Sequence, residues 1–439
     1  MSISPLVLPL LLLLLHASRA THFYGTVMTF DPKDTQLNGA VTVKLRYKLN
    51  FRECRHSTSW GCLSGNCGTL RPTLQVVDEE DSGEWCQREG VMTQQLPNNA
   101  PFQLRLSGGN WISSIQNGIV AWRALTLVDL RNRSDTGRAN RSPQTTILPA
   151  IRVPSNCARN FSLLTFDPDG DQVKCRNGST TAGECNPCTP PSVLNLDPSC
   201  TLSFRPTNSS GEGPYAVQLV MEDFPNQSVT LTHTSGSQTN KTTSDPLSKL
   251  PVQFVVRVDP SVPSCSEGQY LPRFLPPTPA HRAQLYVPVG HTLLINVSTE
   301  ATHSTVSDLL FSGPHNVIKS NTSVPEQFIL SWTPTESENG ENQPICFVVQ
   351  ALNNSRKYHS ELRCVIVTVG IGPATTAEPS TTVPPGNATS YVVGLRVRLS
   401  STTPLTDDDI GNVVLQQIKE QLVGQGLPAD IALRLKSIS

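Results

Sequence analysis

The sequence predicts a mainly β protein made of three tandem disulfide-bonded β-sandwich modules, a Thr/Pro-rich stalk and a small C-terminal βαβ module. Three observations support this fold class. Apolar and polar residues alternate with period two in many short segments, of which VTVKLRYKL at 41–49 is the clearest. Gly, Pro, Asn and Ser separate these segments at regular intervals. No segment before the C-terminal module shows a helical period.

The chain opens with an apolar run at 6–15, interrupted only by Pro9 and followed by Ser18-Arg19-Ala20. The run is too short to span a bilayer, and small residues stand at the two positions that a signal peptidase reads. We therefore predict a signal peptide at 1–20 and secretion of the chain to the extracellular space. No later apolar run reaches the length of a membrane span, so we expect no transmembrane segment.

The charge balance and the glycosylation motifs agree with secretion. Lys and Arg number 34 against 35 Asp and Glu, without a basic stripe, so a nucleic-acid partner is not expected. The chain contains eleven N-x-S/T sequons. We predict N-glycosylation at Asn132, Asn160, Asn177, Asn208, Asn226, Asn240, Asn296, Asn321, Asn353 and Asn387. The remaining sequon, at Asn140, is followed by Pro143 and is a poor acceptor.

The twelve cysteines form groups of four, five and three along the chain. If Cys265 belongs with the second group, all three counts become even, as pairing in an oxidising compartment requires. This leaves a Cys346–Cys364 disulfide between two apolar strands, ICFVVQAL and LRCVIVTV, joined by a polar loop. The pairing inside the other groups stays open, and the CxxC at 185–188 is interpreted as a loop disulfide.

A weak internal repeat gives the domain boundaries. ILPAIRVPSNC at 147–157 and LPVQFVVRVDPSVPSC at 250–265 each end one module with a strand and open the next with a cysteine. A Thr/Pro-rich stretch without core-forming residues then follows. The predicted domains are the modules 21–153, 154–260 and 261–370, the stalk 371–389 and the βαβ module 390–439.

The C-terminal module reads as strand, helix and strand. In DDDIGNVVLQQIKEQLVGQG the apolar residues share one helical face, and Thr406 stands at the N-cap. The element resembles half of a SEA-type module. The Gly-Ser cleavage motif of self-cleaving SEA domains is missing, so the resemblance implies no proteolysis.

The stretch TFDPDGDQVKC places Asp167, Asp169 and Asp171 close together. The spacing does not fit an EF-hand loop, because glycine stands two positions early and the twelfth position is Gly178. One interpretation is a β-turn between two strands, since Pro168 and Gly170 suit such a turn. The alternative is a calcium site that stiffens tandem modules, with 222–223 as further ligands. A second acidic run, at 78–84, is predicted to be a solvated loop.

Signals for catalysis are poor, so we expect no enzyme. The chain has no HExxH, GxSxG or P-loop motif, and Cys67 in SGNCG is expected to be in a disulfide. Four of the five tryptophans lie in the first module, where they suit a sandwich core. Trp111, in SGGNWISS, is the candidate for a ligand-binding ring face.

Four segments carry a wider resemblance: HFYGTVMTFDP, WGCLSGNCG, LLTFDPDGDQVKC and YVVGLRVRLSS with LQQIKEQL. With them the chain resembles secreted animal glycoproteins of tandem Ig/cadherin-like β-modules. The resemblance implies an extracellular fold and supplies no reaction, ligand or catalytic residue.

The function predicted from these observations is extracellular adhesion or recognition. A secreted, N-glycosylated chain would bind an extracellular protein partner through its β-sandwich surfaces. The first alternative is a lectin-like carbohydrate binder that uses the first module, and the second is a secreted hydrolase. No cofactor is expected, and calcium is the one cation that the acidic loop suggests.

Overall fold

The computed structural model describes residues 22–35 and 39–370. Outside the described residues lie the predicted signal peptide 1–20, the stalk 371–389, the SEA-like module 390–439 and the sequon at Asn387. Strands dominate the described part, whose helices are two short 3-10 turns, Ser209–Gly211 and Glu336–Glu338. None of its helices has the length and apolar character needed to cross a bilayer. A mainly β fold with several disulfides is confirmed.

The described strands are numbered in chain order. They are β1 (Phe23–Thr35), β2 (Val41–Phe51), β3 (Gly61–Ser64), β4 (Thr73–Glu79), β5 (Cys86–Leu96), β6 (Phe102–Asn110), β7 (Ala121–Val128), β8 (Asn132–Arg133), β9 (Ala150–Pro154), β10 (Arg159–Ser162), β11 (Gln172–Asn177), β12 (Leu194–Asp197), β13 (Thr201–Phe204), β14 (Gly213–Phe224), β15 (Val229–Thr232), β16 (Gln238–Lys241), β17 (Ser248–Asp259), β18 (Arg273–Leu275), β19 (Ala283–Val287), β20 (Leu293–Glu300), β21 (Thr305–Ser312), β22 (Ile318–Asn321), β23 (Gln327–Trp332), β24 (Asn342–Asn353), β25 (Arg356–His359) and β26 (Arg363–Val369).

An eleven-stranded sheet is the largest element. Eight of its strands are hydrogen-bonded in the order β3-β6-β7-β17-β1-β2-β5-β4. Strand β14 pairs with β17 and β11, and β9 runs parallel to β17. Strands from 21–153 and from 154–260 are therefore hydrogen-bonded in one sheet, and the division of the chain into three modules stays a prediction.

Strand β17 connects the two halves of this sheet. Seven of the twelve residues of its sequence SKLPVQFVVRVD are apolar, and nine of the twelve are buried. A strand buried on both faces is typical of the centre of a sheet. It pairs with β14 from Gly213↔Val258 to Asp223↔Ser248, and it reaches β1 at Val27↔Val252.

Gly25 allows β1 to approach β17. Its φ is +119°, in the region that favours glycine, and a Cβ atom there would lie 2.0 Å from the Gln253 carbonyl oxygen. The pairing of β1 with β2 shifts register between Phe23 and Gly25. Glycine is thus required at position 25, where β1 meets β17.

Residues 261–370 form two facing sheets. One has the order β18-β20-β23-β22 and the other β19-β26-β24-β21, with β25 paired to β24. Phe311, Trp332 and Phe347 are buried in the core that strands of both sheets enclose. Two three-stranded sheets, β10-β13-β12 and β16-β15-β8, complete the architecture.

The largest hydrophobic core contains side chains from all three predicted modules. Trp85 and Trp111 of the first range, Phe161 of the second and Leu310 of the third belong to it. Cys346 is also part of this core, and its sulfur lies 3.3 Å from the Thr146 carbonyl oxygen. The three ranges are therefore packed directly on one another.

Buried ion pairs also join the first and third ranges. Glu89 is 1% exposed and contacts Lys48 at 2.8 Å and Arg46 at 3.1 Å. Its other oxygen accepts hydrogen bonds from the backbone N–H and the ring of His315, at 3.0 and 2.8 Å. Glu341, from the third range, contacts Arg46 at 3.2 Å. Glu89 of the first range thus accepts hydrogen bonds from His315 of the third range, and Glu341 of the third range contacts Arg46 of the first.

The prediction of a solvated loop at 78–84 is right only in part, because Glu79, Asp81, Ser82 and Gly83 are exposed whereas Asp78 and Glu80 are buried. Asp78 is 7% exposed and contacts Lys319 at 3.1 Å; Glu80 is 3% exposed and contacts Lys357 at 2.6 Å. Burial outweighs the attraction of Lys319 and raises the pKa of Asp78 to about 7. Burial would also raise the pKa of Glu80, but hydrogen bonds from Lys357 and Ser82 outweigh it and lower that pKa to about 2. Packing against the third range, which the local sequence does not reveal, buries these carboxylates.

All twelve cysteines are in disulfides. The bonds are Cys54–Cys86, Cys62–Cys67, Cys157–Cys265, Cys175–Cys200, Cys185–Cys188 and Cys346–Cys364. Cys265 pairs with the second group, as the parity of the counts suggests. Cys346 and Cys364 are direct cross-strand partners on β24 and β26. The polar loop between them contains β25.

Candidate functional site

The acidic stretch forms a tight turn. The Asp167 carbonyl oxygen accepts the N–H of Gly170 at 3.2 Å, and Gly170 has a φ of +82°. The Asp167 Oδ1 atom accepts the backbone N–H groups of Asp169 and Asp171 at 2.9 and 3.0 Å. An aspartate that bonds to the backbone of the following residues in this way favours turn formation. The turn suggested by Pro168 and Gly170 is therefore present.

The strands that flank this turn do not form a hairpin. Strand β10 ends at Ser162 and pairs with β13, whereas β11 begins at Gln172 and pairs with β14 in the main sheet. Leu163 and Leu164 leave the first sheet and are buried in the core. The turn therefore carries the chain from one sheet to another.

Arg133 lies at the centre of the acidic cluster, with a side chain only 1% exposed. Its Nη2 atom donates to Asp171 Oδ1 at 2.9 Å, and its Nη1 atom donates to the other oxygen of that carboxylate. Nε and Nη2 also donate to both oxygens of Asp135, at 3.0 and 2.8 Å. One guanidinium therefore neutralises two carboxylates from different parts of the chain.

Asp169 is only partly satisfied. Its Oδ2 atom accepts the backbone N–H of Arg141 at 2.8 Å and lies 3.6 Å from Arg133 Nη1. No described residue donates a hydrogen bond to its other oxygen. That oxygen is therefore free to bind a proton donor or a cation.

A second layer of buried polar groups supports the cluster from β14. Asp223 is fully buried, and its Oδ1 atom accepts the N–H and the hydroxyl of Ser248 at 2.7 and 2.5 Å. Its Oδ2 atom accepts the amide of Asn140 at 2.7 Å, and the oxygen of that amide accepts Arg133. Both oxygens of Glu222 are bonded to Arg176. The proposal that 222–223 supply metal ligands is not supported by this geometry.

The cluster contains more buried negative charge than positive charge. Burial raises the pKa of Asp167, and the charges of Asp223 and Asp171 raise it further. Burial likewise raises the pKa of Asp169 and of Asp223. The Oδ2 atom of Asp167 is buried without a hydrogen-bond partner among the described residues. An unpaired buried carboxylate oxygen is costly unless it holds a proton or faces a cation.

The residues fit a cation on one side of the cluster. Carboxylate oxygens of Asp167, Asp169 and Asp171 lie within 4.8 Å of one another. Calcium takes six to eight oxygen ligands, and carboxylates are its common protein ligands. Both oxygens of Asp171 are occupied by Arg133, so a cation would bind mainly Asp167 and Asp169 and would complete its shell with water.

Sequence reasoning did not identify Arg133 and Asn140. Arg133 is the middle residue of the Asn132 sequon, and Asn140 opens the sequon judged to be poor. Each looks like a surface residue in its own segment. Their burial follows from contacts with Asp171 and Asp223, which lie far along the chain, so no local signal marks them.

Trp111 does not present a ring to solvent. It is 2% exposed, packs edge-on against Phe23 with ring centroids 5.0 Å apart, and belongs to the main core. Phe23 in turn stacks on Trp122 at 4.7 Å. A ligand in solvent cannot reach the Trp111 ring, so the expected ligand-binding role of Trp111 is corrected to a core position.

The predicted glycosylation sites differ in exposure. Seven asparagines are exposed: Asn160, Asn177, Asn208, Asn226, Asn240, Asn296 and Asn321. Asn132 and Asn353 are half-buried. Asn140, the sequon judged to be poor, is 1% exposed, and its amide nitrogen is bonded to Asp223. The surface thus offers most of the predicted acceptors to a glycosylating enzyme.

Comparison with known proteins gives distant similarities. No protein-family model matches the chain. Integrin beta-like protein C of Dictyostelium discoideum is 21% identical over 351 residues, which are 73% of this chain and 18% of that protein. The chain therefore spans less than a fifth of the curated relative that it matches.

Among solved structures, the chain is similar to an endo-fucoidan hydrolase of glycoside hydrolase family 107. That match has a TM-score of 0.18 and 13% identity, and it covers 74% of this chain and 42% of the other. The human desmocollin-1 ectodomain matches with a TM-score of 0.19 and 9% identity, covering 81% of this chain and 60% of the other. Superpositions this weak carry no argument about fold or activity.

Proposed function

We propose that this chain is a secreted, N-glycosylated extracellular protein of adhesion or recognition that binds a protein partner through its β-sandwich surfaces. The proposal contains no catalytic step. Cys67, the one nucleophile candidate in the sequence, is bonded to Cys62 and offers no thiolate.

The observation that carries the proposal is the complete pairing of the cysteines. Twelve cysteines form six disulfides, one of which, Cys157–Cys265, closes a separation of 108 residues. Such a framework persists in oxidising compartments and is rare in the cytosol. It supports passage through the secretory pathway, in line with the predicted signal peptide and the exposed sequons.

Two further observations favour recognition. The exposed sequons imply a surface that faces the outside of the cell. The distant relative carries the name integrin beta-like, which is said of that protein and agrees with an adhesive role here.

The test is expression of the full chain in animal cells, followed by binding of the purified protein to panels of cells. We expect the protein in the medium, with a lower apparent mass after enzymatic removal of N-glycans. We expect saturable binding that trypsin treatment of the target cells removes. Reduced and alkylated protein serves as the control, since loss of the disulfides unfolds the surface.

The outcomes separate the candidate functions. Retention of the chain inside the cell, or absence of saturable binding to every cell type, would contradict the proposal. Binding that survives trypsin but is lost after removal of target-cell glycans would favour the lectin-like alternative.

We further propose that calcium binds the acidic turn through Asp167 and Asp169. The support is the buried, unpartnered Oδ2 atom of Asp167 beside a half-satisfied carboxylate. Without a cation, the raised pKa of Asp167 makes its contribution to stability disappear as the pH rises through that pKa. A bound cation would stabilise the ionised form.

Thermal unfolding with millimolar calcium and again with chelator measures this effect at pH 7.5. Calcium at 100 times its dissociation constant adds about 2.7 kcal/mol, which we expect to raise the midpoint by about 2–5 °C. In chelator, acidification toward pH 5 should raise the contribution of Asp167, because its folded-state pKa lies above the unfolded value.

Asp169→Asn should abolish the calcium-induced rise, since it removes one of the two available carboxylates. Asp81→Asn, a change at an exposed aspartate outside the turn, is the matched control and should keep the rise. Identical curves with calcium and with chelator would show that the turn has only a structural role.

A further inference from the structure

A polar cleft lies at one end of the main sheet, away from the acidic turn. Its volume is about 450 Å³. Strand ends and loops from distant parts of the chain converge there: Tyr24 on β1, Arg52 after β2, Glu84 before β5 and Arg257 on β17. Binding sites are commonly built from loops that a rigid sheet holds in place.

The walls of the cleft are fixed by the fold. The N–H of Arg52 donates to the His22 carbonyl at 3.0 Å, and the N–H of Ile112 donates to the Phe23 carbonyl at 3.1 Å. The buried Trp111 ring anchors the loop that follows it, which brings the next residues to the cleft. The cleft is therefore a preformed feature.

The charge of the lining is mainly positive. Arg52, Arg152 and Arg257 line the cleft with a single carboxylate, Glu84. Glu84 is bonded to Arg152 and Arg257, and Arg152 also contacts Asp259 at 2.8 Å. Within the described part of the chain, no hydrogen bond or ion pair joins the Arg52 guanidinium to another residue, so its charge is available to a ligand.

Hydroxyl groups stand beside these arginines. Ser113 and Ser114 line the cleft, and no hydrogen bond joins either hydroxyl to another described residue. Tyr24 is 5% exposed, with a pKa raised chiefly by burial. Guanidinium groups bind carboxylate or sulfate oxygens, and hydroxyl and carboxylate groups bind sugar hydroxyls.

We propose that this cleft binds an anionic saccharide, with the carboxylate or sulfate group of one sugar unit on Arg52 and Arg257. Neighbouring sugar hydroxyls would bond to Ser113, Ser114 and Glu84. The proposal goes beyond recognition of a protein partner, because the ligand is a sugar and the site is a concave cleft.

The lining favours a sugar over an acidic peptide. An acidic peptide presents several carboxylates, and Glu84, which lines the cleft, would repel them. A sialic acid or a monosulfated sugar unit carries one charged group beside several hydroxyls, which matches an unpaired arginine next to serines and an acceptor carboxylate. The volume also suits one or two sugar units.

The test is calorimetric titration of the full secreted protein with a heparin-derived hexasaccharide, with sialyllactose and with hexaglutamate. We expect saturable binding of one of the two sugars, weaker at high salt because part of it is ionic. The desulfated hexasaccharide keeps its carboxylates, so loss of binding on desulfation identifies sulfate as the recognised group. Binding of sialyllactose but not of its asialo form identifies the carboxylate.

Arg52→Ala should raise the dissociation constant about tenfold or more, since it removes a charge-assisted contact. Its folding is expected to be intact, because the exposed side chain makes no contact that the fold requires, and an unchanged unfolding midpoint checks this. The matched control is Arg55→Ala, an exposed arginine nearby that pairs with Glu53 and does not line the cleft.

Equal affinity of the native protein and Arg52→Ala would overturn the proposal, as would the failure of both sugars to bind. Binding of hexaglutamate alone would assign the cleft to acidic peptides and would also overturn it. Repeating the cell-binding test with Arg52→Ala separates this proposal from the protein partner, because binding to a protein partner should persist in the variant whereas binding through the cleft should not.

Discussion

Glu89→Ala is expected to lower the free energy of unfolding by about 3–5 kcal/mol, because it leaves buried cations without their partner. Lys48 is 5% exposed and keeps only a carbonyl contact, to Gly313, after the change. Arg46 would lose its contact with Glu89 as well. Denaturant unfolding followed by tryptophan fluorescence, with the disulfides intact, measures the loss.

Two further variants test whether the buried charges cause this loss of stability. Glu53→Ala removes an exposed carboxylate of a surface pair and should leave the midpoint unchanged. The double variant Glu89→Leu/Lys48→Met should recover part of the loss, since an apolar pair carries no buried charge. A double variant as unstable as Glu89→Ala would show that the charge of Lys48 is not the cause.

Arg133→Met should be the second large effect, with a loss of about 3–5 kcal/mol at neutral pH. The side chain is 1% exposed and bonds Asp135, Asn140 and Asp171. Its removal leaves a buried acidic cluster without its central cation. Chemical unfolding at pH 7 measures the loss, and Arg138→Met, at an exposed arginine of the same loop, is the control.

The loss should shrink as the pH falls from 7 to 4. Hydrogen bonding to Arg133 lowers the pKa of Asp135, so this carboxyl stabilises the native protein above its unfolded pKa and loses that effect in acid. Burial raises the pKa of Asp169 although the charge of Arg133 lowers it, so the variant should raise it further. A carboxyl whose pKa is higher in the folded state than in the unfolded state stabilises the fold only at low pH. A loss of equal size at pH 4 and pH 7 would contradict an electrostatic origin.

Local features of the sequence predicted much of the secondary structure. Alternation marked β2 at VTVKLRYKL, and the parity of the cysteine counts assigned Cys265 to the second group, where it bonds Cys157. The turn at Gly170 followed from proline and glycine chemistry, which depends on a few neighbouring residues. The alternation and the turn depend only on short segments, whereas the cysteine parity uses a count over the whole chain.

The site and the architecture depend on distant contacts, which a short window does not contain. Arg133 looks like an exposed residue of a sequon, and Asp171 gives no sign that an arginine will face it. The pairing of β1 with β17 likewise depends on Gly25, one glycine in a segment otherwise typical of a strand. Sequence pattern could therefore indicate strands and a turn, but not which strands share a sheet.

The position of β17 has a consequence during synthesis. Val27 finds its partner only when Val252 has left the ribosome, because the two are paired across the central sheet. Until then β1 and β7 have an open edge toward the place that β17 will take. Such edges are templates for pairing with other chains. We therefore expect the nascent chain to depend on chaperones over this interval, and chains truncated before residue 248 to aggregate rather than to fold as an independent domain.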